Sequence, residues 1–263
     1  MKKILLFAAV VLLGSTSIAQ KKKYLLFEFM KVAPGQESAY IETESFWEKI
    51  HVQRVKNSDI EGWQLWHLVG ENQDFQYVTV QVFKDSTKMI QNGSSDNFLK
   101  MAKKAFPAMS EAMLLSKRTE SLRTRNVVET FYLEQIDQTK EQFNVSLGAV
   151  MEINLMKVTP ENYAKYENAE SKIFKPEWQK RVDAGRFGSW SLFRVVNLKE
   201  YRLNSEISYV SLNQFKDFNQ LFGGAEDKSI LGKADQEAWQ EAYSTREINS
   251  YRVVLIKKSD KGL

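Results

Sequence analysis

The chain has 263 residues, enough for one large domain or two small ones, and its 43% hydrophobic and 12% aromatic content excludes a disordered polymer. It has no cysteine, which excludes disulfides, thiolate zinc and a lipid-bearing cysteine. It has only His51 and His67 as imidazoles, so any metal site would rest on carboxylates and none is expected. The formal charge is +4, and loss of Lys2 and Lys3 with a leader leaves +2, so nucleic acid is not an expected partner.

The chain opens with basic "MKK", a short apolar run "ILLFAAVVLLG" and small residues up to Ala19. This pattern resembles a bacterial export signal over residues 1–19, cut after Ala19. The run is too short to span a bilayer comfortably, so no stable membrane insertion is expected after cleavage. The mature protein is then periplasmic or extracellular. Lys21, Lys22 and Lys23 read as a solvated tail.

"YLLFEFMKV" follows as a β-rich run that stops before Pro34. "GQESAYIETESFWEKIHVQRVK" has helical periodicity, and "GWQLWHLVG" and "FQYVTVQVF" are strands. A second helical stretch, "DNFLKMAKKAFPAMSEAMLLSK", contains Pro107, which kinks or divides it. "NVVETFYL" closes the unit as a fourth strand, and residues 134–148 form a polar connector.

The same order then recurs. "FMKVAPG" from Phe29 matches "LMKVTPE" from Leu155, and Tyr40 and Glu44 match Tyr166 and Glu170. One inserted residue brings Arg54 onto Arg181, Trp63 onto Trp190 and Leu65 onto Leu192. Thr119 is then set against Thr245, and Val127-Val128 against Val253-Val254. The pattern is a duplication of a β-α-β-β-α-β unit. The expected organisation is a leader at 1–19, a first repeat at 20–133, the connector at 134–148 and a second repeat at 149–263. Pro176 is expected to disturb the first helix of the second repeat.

Each unit has one open sheet face, and two units can bury those faces against each other. On these residues the chain resembles the dimeric α/β-barrel superfamily, which includes antibiotic-biosynthesis monooxygenase-like, stress-responsive barrel and NIPSNAP-like proteins. The resemblance implies an α+β fold in which two ferredoxin-like sheets form an α/β barrel.

Strand alternation separates the faces. Leu25, Phe27 and Phe29 share one face with Val78, Val80 and Val82, and this apolar set is expected beneath the helices. The mixed face carries Glu28, Met30, Thr79 and Gln81, with Asn154, Ser211 and Asn213 in the second repeat. It is expected to line the space between the repeats, where a small apolar or aromatic ligand would sit. His67 and its counterpart Arg194 are added if the second strands turn inward. In the first helix Tyr40, Glu44, Trp47, His51 and Arg54 form one stripe, with Tyr166, Glu170 and Arg181 in the second. Paired Tyr and Glu can orient a phenolic or carbonyl ligand, or brace helix to sheet.

No phosphate loop, zinc helix or nucleophile elbow is present in the sequence. Three functions stay open. One is an exported protein that binds a small ligand between the repeats and needs no cofactor. Another is an oxygenase or haem-handling enzyme of the barrel superfamily, with His67 or His51 as ligand or acid/base. The last is a structural or protein-interaction module. The chain is complete as a monomer or pairs as a homodimer.

Overall fold

In the computed structural model, residues 22–71, 74–92, 95–140, 143–196, 206–223 and 233–260 are described. The leader read over residues 1–19 lies outside them, as does most of the longer loop of the second half.

The first repeat begins with β1 (Tyr24–Val32), which ends just before Pro34. Gly35 turns the chain at φ 77°, a left-handed conformation that costs glycine little. Helix α1 (Glu37–Lys56) leads to β2 (Gly62–Leu68) and β3 (Tyr77–Phe83). A short α2 (Ser86–Ile90) is capped by the Asp85 carboxylate, which accepts from the Lys88 amide at 2.8 Å. Pro107 divides the next helical stretch into α3 (Ser95–Ala105) and α4 (Glu111–Ser121). The repeat closes with β4 (Arg125–Gln138).

The second repeat has β5 (Val150–Lys157), α5 (Tyr163–Ala169), a π turn at Glu170–Phe174, α6 (Lys175–Asp183), β6 (Ser189–Val195) and β7 (Tyr209–Phe215). It ends with α7 (Phe218–Gly223), α8 (Lys233–Tyr243) and β8 (Glu247–Asp260). A π turn adds one residue to a helix, and this one sits where the second repeat carries its extra residue relative to the first. Pro176 follows it and has no N–H to continue an α-helical ladder.

The strands form a closed antiparallel barrel in the order β1-β3-β2-β8-β5-β7-β6-β4. Each repeat supplies a four-stranded ferredoxin-like sheet, and the sheets join along β2–β8 and β4–β6. Closure leaves the sheet no free lateral end. It also explains the 14-residue lengths of β4 and β8, since each pairs first within its repeat and then across to the other. Thus β4 runs to Gln138, past the point where the connector was expected to begin.

Register corrects the alignment of the last strands. Leu25 pairs with Leu133, while its counterpart Met151 pairs with Val253. Structurally, then, Leu133 matches Val253 and Arg125 matches Arg246. The Val127-Val128 match to Val253-Val254 was a slip towards identical apolar residues.

The two faces are also the reverse of the sequence expectation. Leu25, Phe27, Phe29, Val78 and Val80 pack with Met151, Ile153, Leu155, Val210 and Leu212 of the other repeat, inside the barrel. Leu26, Met30, Leu65 and Tyr77 pack with Tyr40 and Val55 of α1. A closed barrel holds no helix and little water, so the purely apolar face goes inward. Burying each of these side chains contributes roughly 1.5–3 kcal/mol. The mixed face lies under the helices, whose polar side chains can answer its buried groups.

Candidate functional site

Glu28 of β1 and Thr79 of β3 are cross-strand partners beneath α1, and the Thr79 hydroxyl donates to Glu28 Oε2 at 3.2 Å. The neighbouring β3 position on that face is Gln81, paired with Trp63 of β2. Above them, α1 lowers Glu44, Trp47, His51 and Arg54 onto the sheet, their spacing holding them to one side of the helix. Arg125, at the start of β4, closes one edge, and Asn97, Phe98 and Arg118 of α3 and α4 close another. These groups line a cavity of about 190 Å³.

Its aromatic wall is continuous. His51 stacks on Trp63 at 5.0 Å and 13°, Trp47 lies 6.1 Å from His51, and Phe98 lies 5.4 Å from Trp47. Its polar wall is crowded with charge. Arg54 donates from Nη1 to Gln81 Oε1 at 2.7 Å and from Nη2 to Asn92 Oδ1. The same Nη1 lies 3.3 Å from His51 Nδ1. A guanidinium cannot accept, so His51 is neutral with its proton on Nε2. Burial, and then the charge of Arg54, hold the His51 pKa well below its usual value.

Glu44 is pushed up to about 7 by burial, against the pull of Arg125 and reinforced by the charge of Glu28. Burial also raises Glu28, with Arg125 and Thr79 opposing it. Arg54 falls to about 10 through burial. Four buried atoms around the cavity have no hydrogen-bond partner: Glu44 Oε1, Trp47 Nε1, Arg54 Nε and Arg125 Nε. Such orphans are uncommon in folded proteins. Glu44 Oε1 and Arg125 Nε have unpaired counterparts in Glu170 Oε1 and Arg246 Nε of the second repeat, so the orphans peculiar to this hollow are Trp47 Nε1 and Arg54 Nε, which a ligand or water satisfies.

The second repeat keeps the frame and fills the space. Tyr166, Glu170 and Arg246 repeat Tyr40, Glu44 and Arg125, but Arg246 lies over the rings of Phe174 at 4.5 Å, Tyr243 at 4.8 Å and Tyr166 at 5.3 Å. Trp178 and Trp239 pack beside Phe174. In place of Glu28, Asn154 donates to Ser211 Oγ at 3.3 Å and accepts from Ser250 Oγ at 2.6 Å. That trio is satisfied without a ligand.

Of the residues singled out from the sequence, Glu28, Glu44 and Gln81 line the cavity, and Tyr40 is buried behind it against Tyr77 at 4.7 Å. Tyr166, Glu170 and Asn154 belong to the filled counterpart. Asn213 donates to Glu152 Oε2 at 3.3 Å, and Arg194 is exposed and bonded to Glu167 through Nε at 3.1 Å. His67 is exposed beside Tyr77, outside the cavity. Thr79, Trp47, His51 and Arg54, also named from the sequence, line it too, whereas Arg125, Phe98 and Arg118 were missed. For Arg125 a signal existed: Thr-Arg precedes the last strand in both repeats, as Thr124-Arg125 and Thr245-Arg246.

A second opening, of about 560 Å³, lies between the repeats at the end of the barrel where β1 and β5 begin. Its floor is the apolar barrel interior, including Phe27, Val80, Phe193 and Leu212, and its polar lining is rich in amides such as Gln64, Gln135 and Gln214. It is lined by no histidine. Among the described residues there is no cluster suited to a metal ion, and no helix long and apolar enough to cross a membrane.

No protein-family description and no curated protein matches the sequence. Solved structures do match the fold. A candidate monooxygenase from Lactobacillus acidophilus superposes with a TM-score of 0.55 at 10% identity, over 92% of this chain and 97% of that one. An anthrone oxidase-like protein gives 0.56 at 11% identity, over 93% and 95%. A candidate monooxygenase from Fusobacterium nucleatum gives 0.57 at 10% identity, over 93% and 96%. At these identities the likeness concerns the fold.

Proposed function

We propose that this chain, a dimeric α/β barrel in fold, is an oxygenase that acts on a small phenol in the cavity of its first repeat. The observation that carries the reading is the buried Glu44 carboxyl, beside Arg125 and facing an aromatic-walled hollow with unpaired polar atoms. The names of the structurally similar proteins, two candidate monooxygenases and an anthrone oxidase-like protein, point the same way.

The cavity volume limits the substrate. An engineered apolar cavity of about 150 Å³ takes benzene, so about 190 Å³ suits a single substituted ring. A haem does not fit there. The larger barrel-end opening offers no histidine to ligate one. The first cavity has His51 but is too small for a haem, and the larger opening lacks a histidine, so the smaller substrate is the better fit.

In this reading Glu44 takes the phenolic proton, which its pKa of about 7 favours near neutral pH. Arg125 and Arg54 hold the phenolate, whose para carbon is then electron-rich and reacts with dioxygen. One oxygen atom stays on the ring as a quinone oxygen and the other leaves as water. Phenol plus O₂ gives quinone plus H₂O, a four-electron exchange that balances without a further reductant. Trp47, Trp63 and Phe98 orient the ring and limit water. The leader-like sequence of residues 1–19 supports a reading in which the activity lies outside the cytoplasm, which N-terminal sequencing of the mature protein tests.

Oxygen uptake with a panel of phenols tests the chemistry, and quenching of Trp47 and Trp63 fluorescence tests binding. We expect both responses, with uptake about 10²-fold slower in E44Q. No quenching and no uptake across the panel would overturn the proposal.

A further inference from the structure

We infer that the cavity of the first repeat selects single-ring phenols that carry a carboxylate, and that Arg118 is the residue that recognises it; this rests on the phenol-binding reading above. Three guanidiniums line the cavity, and they are not equivalent. Arg125 faces Glu44 at 3.3 Å and donates from Nη1 to the Ser121 carbonyl at 2.7 Å. Arg54 is held by Gln81, Asn92 and His51. The Arg118 guanidinium lies over the Phe98 ring at 5.0 Å, with no carboxylate among its described contacts.

The charge count agrees. Among the described lining residues three arginines face two carboxyls, Glu28 and Glu44, and Asp59 lies close enough to Arg54 to act on its charge. Arg118 is then the guanidinium without a carboxylate among the described residues, and an anionic ligand offsets its charge. The aromatic wall sets the ligand's shape. It runs from Trp63 through His51 and Trp47 to Phe98, with the Glu28–Glu44–Arg125 group facing one part and Arg118 seated on Phe98. A ring stacked along this wall presents its hydroxyl to the carboxyls and its own carboxylate to Arg118. A planar fork of N–H donors suits a carboxylate better than it suits a neutral substituent.

The second repeat supplies a contrast. There the arginine over the aromatic cluster, Arg246, already faces Glu170 at 3.2 Å, and the space is filled. Only the first repeat combines a cavity with an arginine lacking a carboxylate partner among the described residues.

The test compares 3-hydroxyphenylacetate with m-cresol, which lacks the carboxylate and like it leaves the para carbon free, by titration calorimetry of the full-length mature protein under nitrogen. We expect the carboxylate to bind about ten-fold tighter, with the advantage shrinking as salt rises. In R118M that advantage disappears and the two ligands bind alike. In R118K part of it remains, because the charge is kept and the fork is lost. Circular dichroism and thermal melts confirm that both variants fold.

Equal affinity for the two ligands in the wild-type protein, or a preference that survives in R118M, would overturn the inference and leave the phenol-binding reading standing. If neither ligand binds the wild-type protein, the phenol-binding reading falls and this inference falls with it.

Discussion

Arg125 Nε lies 3.3 Å from Glu44 Oε1, yet neither atom makes a hydrogen bond. The contact is an ion pair without alignment, so it leaves Glu44 able to bond elsewhere. In the second repeat the equivalent pair, Arg246 and Glu170, is sealed within aromatic rings, each side chain only 3% exposed. One duplicated frame thus serves a hollow in the first repeat and a packed core in the second.

That difference predicts unequal costs of truncation. R246A strands the Glu170 carboxyl in a dry core and removes three ring contacts, so it should cost about 3–5 kcal/mol. R125A leaves Glu44 beside a cavity that admits water, and should cost about 1–3 kcal/mol. Urea unfolding of both variants, compared at equal m-values, measures the two costs. Equal losses would show that the first-repeat pair is as structural as the second.

Glu170 also gives a clean pH signature, because its partner Arg246 is packed among aromatic rings. Burial raises its pKa to about 7, with Arg246 and the Tyr166 hydroxyl opposing. A carboxyl with a raised folded-state pKa binds more protons folded than unfolded between about 4.5 and 7. Its contribution to stability is therefore greatest at low pH and is lost as pH rises through that window. His51, depressed by burial, works in the opposite sense below its unfolded value. The difference between wild type and E170Q isolates Glu170: wild type should lose stability relative to E170Q from pH 4.5 to 7. A flat difference would mean that the carboxyl keeps an ordinary pKa.

The barrel was legible in the sequence because the duplication set Phe29, Tyr40 and Glu44 against Leu155, Tyr166 and Glu170 in matching order. The sense of the faces was not. Alternation told Phe27 from Glu28 but not which of them looks inward, since that depends on closure between strands distant in sequence. Glu28 and Glu44 were picked out, and their meeting was not, because one lies on a strand and the other on a helix. Arg125 was hidden by the alignment slip at Val127-Val128. Arg118 lies in an ordinary charged helix, and only its seat on Phe98 makes it notable.

The π turn at Glu170–Phe174 lets one helix satisfy two registers. Before it, Tyr166 packs on Tyr209 at 4.6 Å; after it, Trp178 stacks on Phe187 at 5.5 Å. Deleting Lys172 should convert the turn to α-helix and rotate one segment by about 100° relative to the other. One of those aromatic contacts must then be lost, at about 3 kcal/mol or more. Thermal unfolding with near-ultraviolet circular dichroism reads both the loss and the repacking. Unchanged stability would mean that the extra residue has no packing role.

Glu28 is where the two repeats diverge most in chemistry, and E28N tests what that divergence does. Glu28 pairs with Thr79 and Thr130 as Asn154 pairs with Ser211 and Ser250. Asparagine at position 28 therefore has hydroxyls on both sides, as in the second repeat, and it removes a buried carboxyl whose charge is disfavoured. Stability should hold or rise by up to about 2 kcal/mol at pH 8. The negative charge of Glu28 also helps hold Glu44 near 7, so its removal should lower the Glu44 pKa. In the oxygen-uptake assay, the acidic limb of the pH profile should then move from near 7 to lower pH. A stable E28N protein with an unmoved limb would show that the two carboxyls titrate independently. An unstable one would show that Glu28, unlike Asn154, is needed to hold the sheet beneath α1.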